Sequence, residues 1–145
     1  LRAAGASKAT GHECILMQGS GTMGVEAMLG CAVPRDGGKV LIVTNGSYGT
    51  RQGVMCRYMG IDHEILEFDD NQAIEVEAIL QQLRNGGGVF THLSFVHHET
   101  TAGVTNPLEA LCRAAKAEFP SVGLLVDSMS GFGALDLQMS WGIDF

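Results

Sequence analysis

The sequence has few basic residues and no long apolar run. Nine Lys and Arg stand against sixteen Asp and Glu among 145 residues, a net charge of −7, and the basic residues are scattered. The composition therefore predicts neither nucleic acid nor an anionic membrane as a partner. No apolar stretch approaches the roughly 18 residues that cross a bilayer, and residues 1–5 lack both a signal-peptide pattern and an initial Met. These absences predict a cytoplasmic protein and indicate a piece of a longer chain.

Cysteine pairs are also missing. Cys14, Cys31, Cys56 and Cys112 lie far apart and form no C-x-x-C motif, which excludes the usual zinc spacings and favours free, buried thiols. Glycine, in contrast, is abundant, with 20 residues in 145, about twice the average usage of ~7%. This excess indicates tight turns or close approach of the backbone to a ligand.

Apolar segments of strand length alternate with segments of helical period. The predicted strands are residues 14–17, 39–43, 64–68, 89–96 and 123–126. The predicted helices are residues 25–33, 72–83 and 107–119. Asn71 and Asn106 are the expected N-caps of the second and third helices. This alternation predicts a single α/β unit with a mainly parallel sheet.

A glycine-rich loop, QGSGTMG at residues 18–24, separates the first predicted strand from the first predicted helix. Helix N-termini bind anions, and the hydroxyls of Ser20 and Thr22 add donors for a phosphate. The loop spells G-x-G-x-x-G, but the acidic residue of a dinucleotide-binding fold is missing at residues 43–46. We interpret the loop as a phosphate site of another kind, with a glycine turn that binds nothing as the alternative.

Asp127 follows the apolar run at residues 123–126 and is expected at the carboxyl end of a central strand, where open α/β sheets bind ligands. A buried carboxylate needs a partner, and a protonated heterocyclic nitrogen would serve. The alternative is an Asp that caps the next turn through Ser128. Thr100 and Thr101 follow another predicted strand, so we expect their hydroxyls at the same edge of the sheet.

The pair His97-His98, followed by Glu99, is a candidate metal site. H-x-E occurs in zinc deaminases, but the P-C-x-x-C half of their signature is missing. Adjacent strand residues point to opposite faces, so the two histidines would not bind one ion together. We therefore predict no metal.

Four strings in order carry a resemblance to a known family. They are QGSGTMGVEAMLG at residues 18–30, TNGSYGTR at 44–51, HHETTAGVTNP at 97–107 and VDSMSGFGALDL at 126–137, with WGIDF at the end. Together they resemble the large domain of class V, fold type I aminotransferases, which depend on pyridoxal 5′-phosphate. The resemblance spans residues 1–145 and implies part of a three-layer α/β domain that binds this cofactor.

The resemblance also implies roles for individual residues. Ser20, Gly21 and Thr22 match the loop that holds the cofactor phosphate. Tyr48 matches an aromatic ring stacked on the cofactor, although ordinary packing against the loop is an alternative for it. Thr101 matches a hydroxyl near the pyridine ring, and Asp127 matches the acid paired with the pyridine nitrogen. An ionised carboxylate there favours the protonated ring, which accepts electrons from the substrate.

The chain departs from the family in what it lacks. The family's opening segment, its C-terminal small domain and its Schiff-base lysine are absent, and Lys8, Lys39 and Lys116 match no Schiff-base position. The 145 residues alone are therefore expected to be inactive. The glycine loop carries no Lys or Arg, so the charge that balances a phosphate is expected from the absent part or from the second subunit of a homodimer.

Within the family, the HHETT and DSMSGFG strings favour an enzyme of phosphonate catabolism that transfers the amino group of 2-aminoethylphosphonate to pyruvate. The alternatives are an alanine–glyoxylate or serine–pyruvate aminotransferase, a lyase with the same cofactor, and a catalytically empty fragment of this fold.

Overall fold

The computed structural model describes Ala4, Gly5, Ser7 and residues 11–145. The strands of its main sheet are β1 Lys39–Thr44, β2 Asp62–Glu67, β3 His92–Val96 and β6 Gly123–Asp127. They are parallel and lie in the order β2-β1-β3-β6. Two short strands, β4 His98–Glu99 and β5 Val104–Thr105, form an antiparallel pair. The helices are α1 Gly21–Ala32, α2 Ser47–Met59, α3 Val76–Asn85 and α4 Leu108–Glu118, and a 3₁₀ turn covers Met139–Trp141. The predicted parallel α/β fold is confirmed.

Apolar side chains cover both faces of this sheet. Along β1, Val40 and Ile42 pack with residues of α1 and α2, whereas Leu41 and Val43 pack with residues of α3 and α4. Alternate strand residues point to opposite faces, so a strand covered on both sides must be apolar throughout. The result is three layers with helices on both sides of the sheet. No helix in the described part of the chain is long and apolar enough to cross a membrane.

The sequence pattern does not predict α2, because glycines interrupt it and no capping residue marks its start. Those glycines pack closely in the structure. A Cβ atom on Gly49 would lie 2.6 Å from Thr44 Oγ1, and one on Gly53 would lie 2.7 Å from Ile65 Cδ1. The missing side chains therefore allow α2 to approach β1 and β2, and they place its first turn at the carboxyl end of β1.

The strand predicted at residues 14–17 is wrong. These residues form no strand, and the side chains of Ile15 and Leu16 are 81% and 91% exposed. A short apolar run does not reveal whether a neighbouring strand is available for pairing. The helix predicted at residues 25–33 exists but begins earlier, at Gly21, because glycine in the first turn conceals the helical pattern.

The other predicted elements exist with shifted ends. The observed β2 and β3 span Asp62–Glu67 and His92–Val96. Helix α3 begins at Val76 with Glu75 as its N-cap, so the predicted N-cap Asn71 is wrong. Helix α4 begins at Leu108 and has Pro107 in the cap position, so Asn106 is not its N-cap either.

The buried Asn106 side chain links three segments instead of capping a helix. Its Oδ1 accepts hydrogen bonds from Asn45 Nδ2 at 2.9 Å and from the Ile74 backbone N–H at 3.2 Å. Its Nδ2 donates to the Val96 carbonyl at 2.8 Å. These bonds hold the segments after β1, before α3 and after β3 in fixed positions at the carboxyl edge of the sheet.

Among the described residues, β6 is the last strand in the order of the four-stranded sheet, and Asp127 is at its carboxyl end, as predicted. On the far side of β6, the Val126 N–H donates to the Phe145 carbonyl at 3.0 Å, and the N–H groups of Asp144 and Phe145 donate to the Leu124 carbonyl at 3.1 Å. The run at residues 123–126 is apolar because its side chains pack into the clusters on both faces of the sheet.

All four cysteines are free, and two of them are buried as predicted. Burial raises the pKa of Cys56 to about 11 and that of Cys112 to about 12. The prediction of burial is wrong for Cys14 and Cys31, which are exposed. Cys31 is near the end of α1 on the side away from the sheet, a placement that cysteine spacing does not encode.

Candidate functional site

A cavity of about 200 Å³ lies at the carboxyl edge of the sheet, between α1, α2 and the ends of β3 and β6. Four of the predicted site residues line it: Gly21, Thr22, Tyr48 and Asp127. Parallel strands bring all their carboxyl ends to one edge of a sheet, where ligands bind in this class of fold. The fold thus brings together residues that are about a hundred positions apart.

Two predicted site residues, Ser20 and Thr101, do not line this cavity. Ser20 is the N-cap of α1, but its hydroxyl makes no capping bond. The Thr101 hydroxyl donates to Glu99 Oε1 at 2.5 Å and accepts from the Ser47 N–H at 3.0 Å, so it supports the start of α2. The neighbouring Thr100 lines the cavity in its place.

The first turn of α1 is open to a ligand. It has no side-chain cap and no acidic residue, so the positive end of the helix dipole is not neutralised locally. A Cβ atom on Gly21 would lie 2.8 Å from Met129 Cγ and 3.0 Å from Met129 Sδ. Glycine therefore keeps space between α1 and the turn that follows β6, and this helix end can bind an anion.

Arg51 lies beside that helix end and was not among the predicted site residues. Its Nη1 donates to Thr22 Oγ1 at 3.4 Å, and its guanidinium lies 5.2 Å from the centre of the Tyr48 ring. Arg51 also lines the cavity, so a cation of this chain lies beside the helix end, and the expectation of further charge from the absent part or a second subunit stays a prediction. The three-residue spacing of Tyr48 and Arg51 would have indicated a shared helix face if α2 had been predicted.

Asp127 is half-buried and has one hydrogen-bond donor. Its Oδ1 accepts from the Met129 N–H at 3.0 Å, so it caps the following turn, as the alternative interpretation expects, although through Met129 and not Ser128. Burial raises the pKa of Asp127; the Met129 N–H opposes this shift, and the nearby negative charge of Glu99 adds to it. A cation in the cavity would lower this pKa and stabilise the carboxylate.

Glu99 is fully buried and caps α2. Its Oε2 accepts from the backbone N–H groups of Tyr48 and Gly49, both at 3.1 Å. A Cβ atom on Gly46 would lie 2.4 Å from Glu99 Cγ, so glycine is needed for this approach. Glu99 was considered only as a metal ligand in the sequence, but in the structure it positions the turn that carries Tyr48.

The two adjacent histidines have separate partners, as strand alternation predicts. His97 Nδ1 is 2.9 Å from Ser128 Oγ, and His98 Nδ1 is 2.9 Å from Thr105 Oγ1. Burial and then the charge of His98 lower the pKa of His97, which favours its neutral form. Within residues 11–145 and the three described residues before them, no group of His, Cys, Asp or Glu is arranged to hold a metal ion.

Comparison with known proteins assigns the chain to a family. Residues 5–145 match the model of the class-V aminotransferases, and the chain belongs to this family. It is 44% identical over 135 residues to 2-aminoethylphosphonate–pyruvate transaminase of Bacteroides fragilis, a match that covers 92% of the chain and 36% of the relative. It is 41% identical over 145 residues to the enzyme of the same name from Burkholderia thailandensis, covering 99% of the chain and 38% of the relative.

Solved structures of aminotransferases have the same fold. Alanine–glyoxylate aminotransferase of Nostoc sp. matches with a TM-score of 0.80 at 30% identity, over 90% of the chain and 33% of that protein. Pyridoxamine–pyruvate aminotransferase of Mesorhizobium loti matches with a TM-score of 0.81 at 25% identity, over 99% of the chain and 36% of that protein. The chain thus spans little more than a third of the length of these relatives.

Proposed function

We propose that the protein containing this chain transfers the amino group of 2-aminoethylphosphonate to pyruvate, with pyridoxal 5′-phosphate as its cofactor. The observation that carries this proposal is one cavity in which the uncapped N-terminus of α1 and the half-buried Asp127 are both exposed to a ligand. Such a site suits a molecule with an anion at one end and a protonated ring nitrogen at the other. The names of the relatives support the amino donor and acceptor.

The residues of α1 and α2 would hold the phosphate and the ring. The backbone N–H groups of Gly21 and Thr22, with the Thr22 hydroxyl, would donate to the phosphate, as would Ser20 if its uncapped hydroxyl turns toward the anion. Arg51 would add positive charge beside the same group. The ring of Tyr48, held by the cap that Glu99 provides, would pack on one face of the cofactor.

Asp127 would control the protonation of the ring nitrogen. The cofactor, when bound, supplies a pyridinium ring that accepts electrons from the substrate Cα atom. The carboxylate of Asp127 favours the proton on that nitrogen, because opposite charges at short range stabilise each other in a partly buried site. The Met129 N–H holds Oδ1, and no donor occupies Oδ2 in the part of the chain that the structure describes.

The remaining machinery is expected in the two thirds of the relatives' length that the chain does not span. This includes the lysine that binds the cofactor and carries the proton. The resemblance further implies a cytoplasmic homodimer with the site at the subunit interface, where the partner completes the phosphate site. Thr101, which the resemblance places near the pyridine ring, would act through the first turn of α2, whose Ser47 N–H donates to its hydroxyl.

The test is alanine formation by the full-length protein with pyridoxal 5′-phosphate. We expect alanine to form from pyruvate fastest with 2-aminoethylphosphonate as donor, and more slowly or not at all with serine. Glycine formation from alanine and glyoxylate serves as the parallel assay. A preference for either of these other pairs would contradict the substrate. Absence of cofactor binding and of all three reactions would contradict the proposal as a whole.

A further inference from the structure

Gln52 contains a buried polar atom without a partner, the only such side-chain atom among the described residues. The side chain is 1% exposed, and its Oε1 accepts a hydrogen bond from Ser94 Oγ at 2.7 Å. Its Nε2 makes no hydrogen bond. Buried donors in folded proteins are nearly always paired, because an unpaired one loses its bonds to water without replacement. An orphaned donor therefore points to a partner that the chain itself does not provide.

The position of Gln52 indicates what that partner is. Gln52 lies one helical turn after Tyr48 on α2 and lines the same cavity. The cavity is lined by apolar side chains, among them Val25, Met55 and Val96, and by polar ones, among them Thr100 and Asp127. None of these polar side chains accepts a hydrogen bond from Nε2. The acceptor for Nε2 must then come from a molecule that enters the cavity.

We propose that Gln52 is a ligand-binding residue whose Nε2 donates a hydrogen bond to an acceptor atom on the ring of the bound cofactor. This inference rests on the proposed function, because it takes the occupant to be pyridoxal 5′-phosphate. Ser94 is the positioning residue: its hydroxyl holds Oε1 and so leaves Nε2 as the free end of the amide. The orphaned donor lowers the stability of the ligand-free protein, and the ligand recovers that loss on binding.

The experiment compares two variants of the full-length protein. Ser94→Ala removes the hydroxyl that holds Oε1 and so measures the positioning role of Ser94, and the unsubstituted protein is the reference for both variants. The double variant Gln52→Met with Ser94→Ala removes the whole polar pair at nearly constant shape. For each variant, the dissociation constant of pyridoxal 5′-phosphate is measured by absorbance titration, and the thermal midpoint is measured without ligand.

We expect the double variant to bind pyridoxal 5′-phosphate about ten-fold more weakly than the unsubstituted protein, which is about 1.4 kcal/mol. Without ligand, its thermal midpoint should be equal to or higher than that of the unsubstituted protein, because a buried donor without a hydrogen-bond partner has been removed. A purely structural Gln52 would give the reverse, a lower midpoint with an unchanged dissociation constant. That result would overturn the inference.

Two further outcomes are decisive. If the double variant does not fold, the single variant Gln52→Met is compared with the unsubstituted protein, and equal affinity for pyridoxal 5′-phosphate would again overturn the inference. If the unsubstituted protein does not bind this cofactor, the proposed function fails and this inference fails with it. Cofactor binding that does not depend on Gln52 would overturn the inference alone.

Discussion

Two helices begin at the same edge of the sheet, and they differ in whether a side chain accepts hydrogen bonds from the backbone N–H groups of the first turn. In α2, the N–H groups of Tyr48 and Gly49 donate to the buried carboxylate of Glu99 at 3.1 Å. In α1, which starts at Gly21, no side chain caps the first turn. The protein therefore uses its own carboxylate where a helix end must position Tyr48, and it leaves the other helix end available for an anion.

The two carboxylates at this edge differ in the same way. Glu99 is fully buried, and both of its oxygens accept hydrogen bonds. Asp127 is half-buried, receives one backbone hydrogen bond, and has a pKa raised mainly by burial. A carboxylate with donors on both oxygens serves the architecture, whereas one with a free oxygen beside a cavity is suited to a cationic ligand.

Removal of the negative charge of Asp127 should have the largest effect, and this effect is on turnover. We expect Asp127→Asn to lower turnover of the full-length enzyme about 1,000-fold while the cofactor still binds, because the amide keeps the shape but does not favour a protonated ring. The control is Asp36→Asn, at an exposed position in the loop after α1. Turnover of the Asp127→Asn variant within ten-fold of the parent would contradict this role.

Removal of the architectural carboxylate should instead affect stability. Glu99→Ala leaves the N–H groups of Tyr48 and Gly49 without an acceptor, and we expect a loss of about 3 kcal/mol in the free energy of unfolding. Glu77→Ala, which removes an exposed ion pair with Arg84, should cost much less, because solvent screens exposed pairs. Denaturant titration of both variants gives the comparison, and similar losses would show that Glu99 is not a special cap.

Filling the open helix end should weaken ligand binding. Gly21→Val would place a side chain between α1 and Met129 and fill the helix end. We expect the affinity for pyridoxal 5′-phosphate to fall about ten- to one-hundred-fold, which is about 1.4–2.8 kcal/mol. Gly24→Val on the same helix meets open space and is the matched control. Equal affinities of the two variants in an absorbance titration would refute the anion site at α1.

The smallest effect concerns the pH dependence of the ligand-free protein. Because folding raises the pKa of Asp127, the stability linked to its protonation is fully present below the ordinary pKa of an Asp and decreases as the pH rises through the folded value. Asp127→Asn does not titrate, so its thermal midpoint should gain on that of the parent as the pH rises above the ordinary pKa of an Asp, about 4. Pyridoxal 5′-phosphate should reverse the difference. A difference in thermal midpoint between Asp127→Asn and the parent that does not vary with pH would contradict this linkage.

Part of the candidate site could be predicted from local sequence. Gly21 and Thr22 stand where a glycine loop meets a helix, and Asp127 directly follows an apolar run, so each was recognisable from its immediate neighbours. Arg51 and Gln52 were not, because the glycines of α2 conceal the helix that brings them to the cavity. Glu99 was assigned no structural role because its partner Tyr48 is 51 positions away.

The sequence by itself determined the parallel α/β class and the approximate positions of the four strands of the main sheet and of α1, α3 and α4, because apolar runs and their periods are local properties of the chain. Tertiary packing decided which side chains reach the cavity. The close approach of α2 to β1, which Gly49 permits, engages Thr101 with Glu99 and Ser47 and leaves Thr100 at the cavity. Neighbouring residues with the same hydroxyl are equivalent in the sequence, and only contacts with distant segments distinguish them.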